Sequence, residues 1–459
     1  MGAVTITFLG GTETVTGSRF IVSSPSATVL VECGMFQGLH EIEKRNWDEF
    51  KVKPEDIDAI ILSHAHLDHC GYIPLLVKHG YKNPIFGTFY TEKLAGVILH
   101  DSARLQMHEA EYRKESLSSK MPALYNTIDV EKALSLFRSK AFHEKVSVAK
   151  NTFVTFYPSG HILGSAFLVL EMEESRILFT GDMGRDNHPL LVPPETPGER
   201  SFDAVVTEST YGDRRHETPV SAFAHEINKA ISRGGSILIP AFAVDRTEVI
   251  LMALRELIEN GGIPLTPIYV DSPMALAALN YYRQAIADGA PEIRDSVREK
   301  FAGVDPFDPG NLREMYSAED SKKIDALERS SIVVSASGMA TGGRVLHHLA
   351  NMLPDSENTV ILVGYQSAGT RGQALLRGDE KIKIHGKWVE VRAHIASVEA
   401  FSVHADVDEL VNWLKKIGTV EKALIVHGET DSQLALKSRL ENEFSWLVKI
   451  PKTDQIISI

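Results

Sequence analysis

The chain has 459 residues, 43% of them hydrophobic and 8% aromatic, with 61 acidic against 48 basic side chains and a formal charge of −13. That length supports a large core and more than one domain; the charge disfavours long-range attraction to a nucleic-acid backbone but leaves room for a local basic patch or a metal-bearing anion site. Two cysteines, Cys33 and Cys70, exclude a disulfide scaffold and a four-thiolate zinc site and favour a cytoplasmic setting, and no run of about 18 apolar residues predicts a membrane span.

Val4 to Leu9 predicts a first strand rather than a signal peptide. Short apolar strands are expected at Phe20 to Ser23, Ala27 to Val31 and Ile57 to Leu62, separated by turns at Gly10-Gly11, Gly17-Ser18 and Gly34. Tyr90 to Tyr112 predicts a helix with Leu94, Val97, Ile98 and Leu105 along one side, and Val130 to Ser135 a shorter one. Strands resume at Thr152 to Tyr157, Ala166 to Glu171, Arg176 to Phe179 and Ala204 to Thr207. Beyond Thr207 the rhythm changes. Strands Ser236 to Ile239, Leu265 to Val270, Ser331 to Ser335 and Thr359 to Val363 accompany amphipathic helices Ala222 to Arg233 and Arg246 to Asn260. Their recurrence predicts an α/β insertion, with Asp288 to Ser317 as irregular connection. At Asp271-Ser272-Pro273-Met274, Ser272 suits a helix cap and Pro273 a first helical position.

His64, His66, Asp68 and His69 form an HxHxDH run directly after the apolar segment Ala59 to Ser63. At the end of a buried strand an irregular turn can fold these groups inward. Alternate imidazoles can then serve one divalent ion while the following carboxylate and imidazole serve another. A hydrogen-bonded polar loop is the alternative for the same run. Further along, His161 stands in Ser-Gly-His-Ile-Leu-Gly, Asp182 in Thr-Gly-Asp-Met-Gly, and His427 in Ile-Val-His-Gly-Glu, each beside an apolar run of strand length.

Together with Glu32, Glu208 in Thr-Glu-Ser-Thr-Tyr-Gly and His404 in Phe-Ser-Val-His-Ala-Asp, these motifs resemble in content and order those of the β-CASP branch of the metallo-β-lactamase superfamily. That branch includes the endonuclease subunit of the pre-mRNA 3′-end cleavage machinery. The resemblance spans nearly the whole chain and departs at Glu32, where the family more often carries Asp, which leaves the packing of that loop in question. It implies an α/β protein: a metallo-β-lactamase αβ/βα sandwich from residues 1–210 and 399–459, with an inserted α/β β-CASP domain at 211–398.

The same resemblance implies that His64, His66 and His161 hold one ion, that Asp68, His69 and His427 hold its neighbour, that Asp182 bridges both, and that Glu32 orients the histidine loop from behind. Nitrogen and oxygen donors suit two Zn²⁺ ions and are compatible with Mn²⁺. A hydroxide activated by the ion pair would attack an RNA phosphodiester, with Asp68 in the catalytic set, His404 as proton donor to the leaving 3′-oxygen and Glu208 orienting it. His427 matches the RNA-processing branches rather than the DNA-repair ones. The implied activity is an endoribonuclease, compatible with an added 5′-to-3′ exonuclease mode, acting on single-stranded RNA in the cytoplasm, with a homodimer and RNA-processing proteins as partners. A noncatalytic RNA-binding scaffold and a small-molecule ester or lactam hydrolase are the competing readings.

Within the insertion, Ser337, Thr341 and Arg344 lie in a Gly-rich stretch before Val345 that either cradles a phosphate in a backbone nest or merely allows close helix packing. Tyr365, in Tyr-Gln-Ser-Ala-Gly-Thr-Arg-Gly, either stacks on a base or packs at a domain junction, and Arg371 is a candidate phosphate contact. From Arg371 to Arg392, six Lys and Arg residues stand against three acidic ones, a modest basic patch or an ordinary solvated surface. His347 and His348 read as polar helix residues.

Overall fold

A computed structural model describes residues 4–115, 122–198, 200–216, 220–324, 330–364, 366, 367 and 369–459. They form two compact units, Met1–Arg215 with His404–Ile459, and His216–Val403.

The first unit is built on two seven-stranded sheets. One runs in the order Ile456–Ser458, Thr5–Gly10, Arg19–Ser23, Thr28–Cys33, Ala59–Ile61, Ile85–Thr88 and Phe137–Lys140. The other runs Leu447–Lys449, Gly418–Ile425, Arg200–Thr207, Ser175–Phe179, Ala166–Met172, Thr152–Pro158 and Val146–Ala149. Successive residues of a strand face opposite sides, so Val29 and Val31 enter a core shared with Leu168, Leu170, Phe179 and Val206 of the second sheet. The outer face of that second sheet, including Val169, Leu178 and Val205, packs on Leu410, Val411 and Leu414 of helix Val407–Leu414 and on Leu436 and Leu440 of helix Thr430–Glu443. The long helix Phe89–Glu115 lies against the strands at the far edge of the first sheet, and the helices are outside the pair of sheets, giving the αβ/βα sandwich.

Several strands were not evident in the sequence. Phe137–Lys140 buries only Phe137 fully, and Ile456–Ser458 only Ile457, so neither carries an apolar run. Their pairing is tertiary: Ile457 faces Ile6 across the first sheet.

The second unit holds a six-stranded sheet in the order Leu312–Glu314, Ile268–Val270, Ile332–Ser335, Ile237–Pro240, Thr359–Leu362 and His394–Ser397. All its pairings are parallel, as expected when helices cross between strands. Helix Pro273–Ala287 begins as its cap residue predicts, with Ala275 N–H donating to Ser272 Oγ at 3.2 Å. The stretch from Asp288 to Ser317 contributes the short helix Asp295–Lys300 and the edge strand Leu312–Glu314. A separate hairpin, Lys381–Ile384 with Lys387–Glu390, turns on His385 and Gly386, both with positive φ. Among the described residues no helix is long and apolar enough to cross a membrane.

Candidate metal centre

In the first unit, polar side chains collect where parallel strands end. Thr28–Cys33 pairs in parallel with Ala59–Ile61, so Glu32 and the loop that starts at Ser63 emerge side by side. In the opposing sheet, Ser175–Phe179, Arg200–Thr207 and Gly418–Ile425 are parallel neighbours, with Phe179 level with Val206 and Thr207 with Ile425. Their ends therefore deliver Asp182, Glu208 and His427 to one rim.

His66 precedes helix Leu67–Cys70 in an extended conformation, which ends the strand direction, and the turn brings the His69 ring back against His64, with centroids 4.1 Å apart. The end of strand Thr28–Cys33 lies tightly under this turn: a Cβ at Gly34 would sit 1.6 Å from the Asp68 carbonyl oxygen. His161 comes from a loop whose amides are tied to Ser165 Oγ, which accepts from His161 N–H at 3.0 Å and Ile162 N–H at 3.1 Å.

Two sets of ligand atoms converge. His64, His66, His161 and Asp182 form one group, Asp68, His69 and His427 another, each with candidate donor atoms within 4.8 Å of one another. In the first, His66 Nδ1 lies 3.1 Å from His64 Nε2 and 3.2 Å from His161 Nε2. In the second, His427 Nε2 lies 3.2 Å from His69 Nε2 and 3.1 Å from Asp68 Oδ2. Asp182 spans the two: Oδ2 is 3.5 Å from His64 Nε2, and Oδ1 is 3.4 Å from His69 Nε2. Glu32 stands behind, accepting from Ser63 N–H through Oε1 at 2.9 Å and placing Oε2 3.2 Å from His69 Nδ1.

This donor set fits divalent cations. Asp182 Oδ1 is buried without a hydrogen-bond partner, and an anionic oxygen in that position is costly unless a cation compensates it. Burial holds His64 well below its ordinary value, with His69, His66 and His161 adding repulsion, so it stays neutral with a lone pair to give. Burial also pulls His69 down, but Asp182, Asp68 and Glu32 outweigh it and lift the imidazole to about 10. His427 is raised in the same way, against burial, by Asp182 and Asp68. Burial pushes Asp182 up while His427 and His69 pull against it. Burial opposes ionisation of Asp68, yet His69 and His427 hold it below the usual carboxylate range. The pocket thus attracts positive charge.

Beside the ligands, His404 Nδ1 lies 3.4 Å from Glu208 Oε2 and 3.9 Å from Asp182 Oδ2. Glu208 is fixed by Met183 N–H, which donates to Oε1 at 2.5 Å, and by Thr210 Oγ1–H, which donates to Oε2 at 2.5 Å. Burial opposes its ionisation, but His404 and His427 draw its value below normal. Thr210 Oγ1 is also 3.2 Å from His427 Nδ1, so one hydroxyl links the carboxylate beside His404 to a candidate ligand. Sequence reasoning did not single out Thr210 or Ser63, although both sit inside or next to motifs that it used.

The second unit holds Ser337, Thr341, Arg344 and Arg371. Ser337 Oγ and Thr341 Oγ1 are 2.9 Å apart. Arg344 donates to Asp271 Oδ1 at 2.7 Å, Met315 O at 2.8 Å and Tyr316 O at 3.1 Å, and Asp271 Oδ2 also lies 2.6 Å from His348 Nε2. The Arg344 fork thereby helps to hold this unit together, and His348 is a buried partner of a carboxylate. Arg371 donates through Nε to Lys383 O at 2.7 Å and through Nη1 to Ala340 O and Thr341 O, both at 3.2 Å. Tyr365 lies outside the described residues.

Residues 21–191 match the Metallo-beta-lactamase superfamily domain, 247–375 the Beta-Casp domain and 388–451 the Zn-dependent metallo-hydrolase RNA specificity domain. Ribonuclease TTHA0252 of Thermus thermophilus is 35% identical over 430 residues, covering 93% of this chain and 94% of that protein. The RNase J-like protein of Methanocaldococcus jannaschii is 32% identical over 438 residues, 94% of each chain. Transcription termination factor FttA of the same organism is 28% identical over 464 residues, 98% of this chain and 70% of that one.

Proposed function

The chain belongs to the β-CASP branch of the metallo-β-lactamase superfamily, and from that premise we propose that it is a metal-dependent hydrolase of RNA phosphodiester bonds, foremost an endoribonuclease on single-stranded RNA. The observation that carries this reading is Asp182, whose two oxygens face two separate histidine groups while Oδ1 lacks any hydrogen-bond donor. Ribonuclease relatives along nearly the full chain supply the substrate class.

In this reading His64, His66, His161 and Asp182 would hold a first divalent cation, and Asp68, His69 and His427, together with Asp182, a second. The donors suit Zn²⁺ and accept Mn²⁺. Such a pair, when bound, acidifies water and polarises phosphoryl oxygens.

The protein's own groups do the rest. Glu32 fixes the ring of His69 and, through Ser63 N–H, the start of the loop. Glu208 faces Nδ1 of His404, which orients the ring so that its other nitrogen can pass a proton to the departing 3′-oxygen. Ser337, Thr341, Arg344 and Arg371 are assigned to the RNA backbone and Tyr365 to stacking on a base, with Arg344 also bonded to Asp271. A 5′-to-3′ exonuclease mode, a homodimer, RNA-processing partners and a cytoplasmic setting complete the reading.

The test is cleavage of internally labelled, matched single-stranded RNA and DNA by metal-loaded protein. Internal RNA products from the wild type, abolished in His64→Ala, are expected. RNA binding without metal-dependent cleavage would leave a scaffold and overturn the enzyme role.

A further inference from the structure

The hairpin Lys381–Ile384 with Lys387–Glu390 is amphipathic in an unusual sense. Residues directly opposite in an antiparallel pair share a face. Ile382 pairs with Val389, and Ile382 and Ile384 are buried in the core of the second unit, where Val389 packs beside them. Lys383 pairs with Trp388, and Lys381 with Glu390, on the opposite, outward face. The Trp388 side chain is 69% exposed, more than any other large apolar side chain among the described residues. A lone exposed apolar residue is ordinary; this one stands on a platform anchored from below and directly across from a lysine.

The charges around it are uneven. Glu390 is taken by Lys381 at 3.7 Å and Arg392 at 2.5 Å, and Asp379 by Arg377 at 2.6 Å. Among the described residues, neither Lys383 nor Lys387 has a carboxylate partner and both are exposed; Lys387 pairs with the inward Ile384, so Lys383 is the charge that shares the Trp388 face. At the hairpin turn the His385 ring sits 4.6 Å from that of His347, and burial, His347 and Arg371 hold His385 below its ordinary value, so that ring does not add to the charge of the face. On a chain of formal charge −13, six basic residues from Arg371 to Arg392 stand against Asp379, Glu380 and Glu390, so this stretch is locally positive, and the isoleucines of the hairpin point inward.

We propose that the outward face of this hairpin is a docking platform for single-stranded RNA, in which a base stacks on Trp388 while Lys383, directly opposite it, neutralises a flanking phosphate. An aromatic ring tolerates any base, and lysines contact the backbone without reading sequence, so the platform adds affinity and not base specificity. This deepens the RNA reading above and rests on it for the choice of nucleic acid.

The experiment uses the full-length metal-loaded protein and a labelled, nuclease-resistant 2′-O-methyl phosphorothioate 20-mer, read by fluorescence anisotropy at two salt concentrations. Stacking on one aromatic ring is worth about 1–3 kcal/mol, so Trp388→Ala should weaken binding by roughly 5- to 150-fold, and Trp388→Phe should restore most of it. Lys383→Glu should weaken binding and flatten the salt dependence. Cleavage of a short RNA, too small to reach beyond a single site, should be unchanged in all three variants. Binding of the 20-mer by Trp388→Ala and Lys383→Glu within twofold of a wild type that does cleave RNA would overturn the platform and leave the nuclease reading intact. Trp388-dependent binding by a wild type that cleaves nothing would support the platform and sink the nuclease. Loss of self-association in Trp388→Ala with unchanged RNA affinity would also overturn the platform, assigning the face to a second copy of the chain.

Discussion

Oε2 of Glu208 lies 3.4 Å from Nδ1 of His404 while Oε1 of the same carboxylate accepts the Met183 amide, so the group that orients the proposed proton donor is anchored to the segment that carries Asp182. Candidate ligand and proposed proton donor are thereby positioned by one short stretch of chain. Replacing His404 by Ala should lower kcat by about 10²- to 10⁴-fold with bound metal retained. A substrate with a 3′-sulfur leaving group, which needs no proton, should recover most of the lost rate. Glu208→Gln should behave as a milder version of the same defect. Loss of metal from His404→Ala, measured by atomic absorption, would place the residue among the ligands instead.

Metal loading should release protons. In the metal-free protein His69 is raised from 6.5 to about 10, with burial opposing and Asp182, Asp68 and Glu32 prevailing. Because the folded value lies above the unfolded one, this group stabilises the metal-free fold fully below pH 6.5 and loses that contribution as pH rises through about 10. The metal-loaded protein, in which the imidazole is a ligand, should show no such loss from His69. Affinity for the metal should rise ~tenfold per pH unit for each proton displaced. Calorimetry at pH 7 in buffers of different ionisation enthalpy gives the proton count, and a count of zero contradicts the assignment.

Glu32 is worth testing separately from the ligands. Glu32→Gln keeps an acceptor for Ser63 N–H but removes the charge beside His69 Nδ1. Partners behind a metal ligand typically account for 10- to 100-fold in affinity, so one of two metal equivalents should weaken by about that factor while the other holds. Competition with a chromophoric chelator resolves the two equivalents. Equal weakening of both would mean that Glu32 acts on the whole loop.

Asp271 should matter to stability and not to chemistry. It is buried and paired with Arg344 and His348, and although burial opposes its ionisation, His348, Ser321 and Arg344 hold it below its ordinary value. Its stabilisation is therefore present above the unfolded value near 3.9 and lost as pH falls through the folded one. Asp271→Ala strands two basic groups and should cost about 3–5 kcal/mol, seen as a lower urea midpoint. Arg344→Ala should reduce both stability and RNA affinity; a loss of stability alone would remove Arg344 from the substrate contacts.

The sequence by itself determined the types of the candidate ligands and their neighbourhood. His64, His66, Asp68 and His69 lie in one short run that marks itself as a metal-binding candidate, whereas His161, Asp182 and His427, each beside an apolar strand, join it through the resemblance to the family's motifs. Strands with strong apolar runs, such as Ala166–Met172 and Ile332–Ser335, were legible for the same reason. What only tertiary structure decided depends on pairing between distant segments. Parallel register between Thr207 and Ile425 brings Glu208 and His427 to one rim, and Thr210 becomes a link only because of it. The hairpin that exposes Trp388 alternates lysine and isoleucine over four residues, a span too short to separate a platform from a solvated basic stretch until Ile382 and Ile384 find the core of the second unit. Arg344 stands in the Gly-rich stretch as a candidate phosphate contact by residue type, and that its guanidinium also meets Asp271 is something only the fold supplies. Chemistry is carried by residue identity, whereas the partner each group meets is set by packing between elements far apart in the chain.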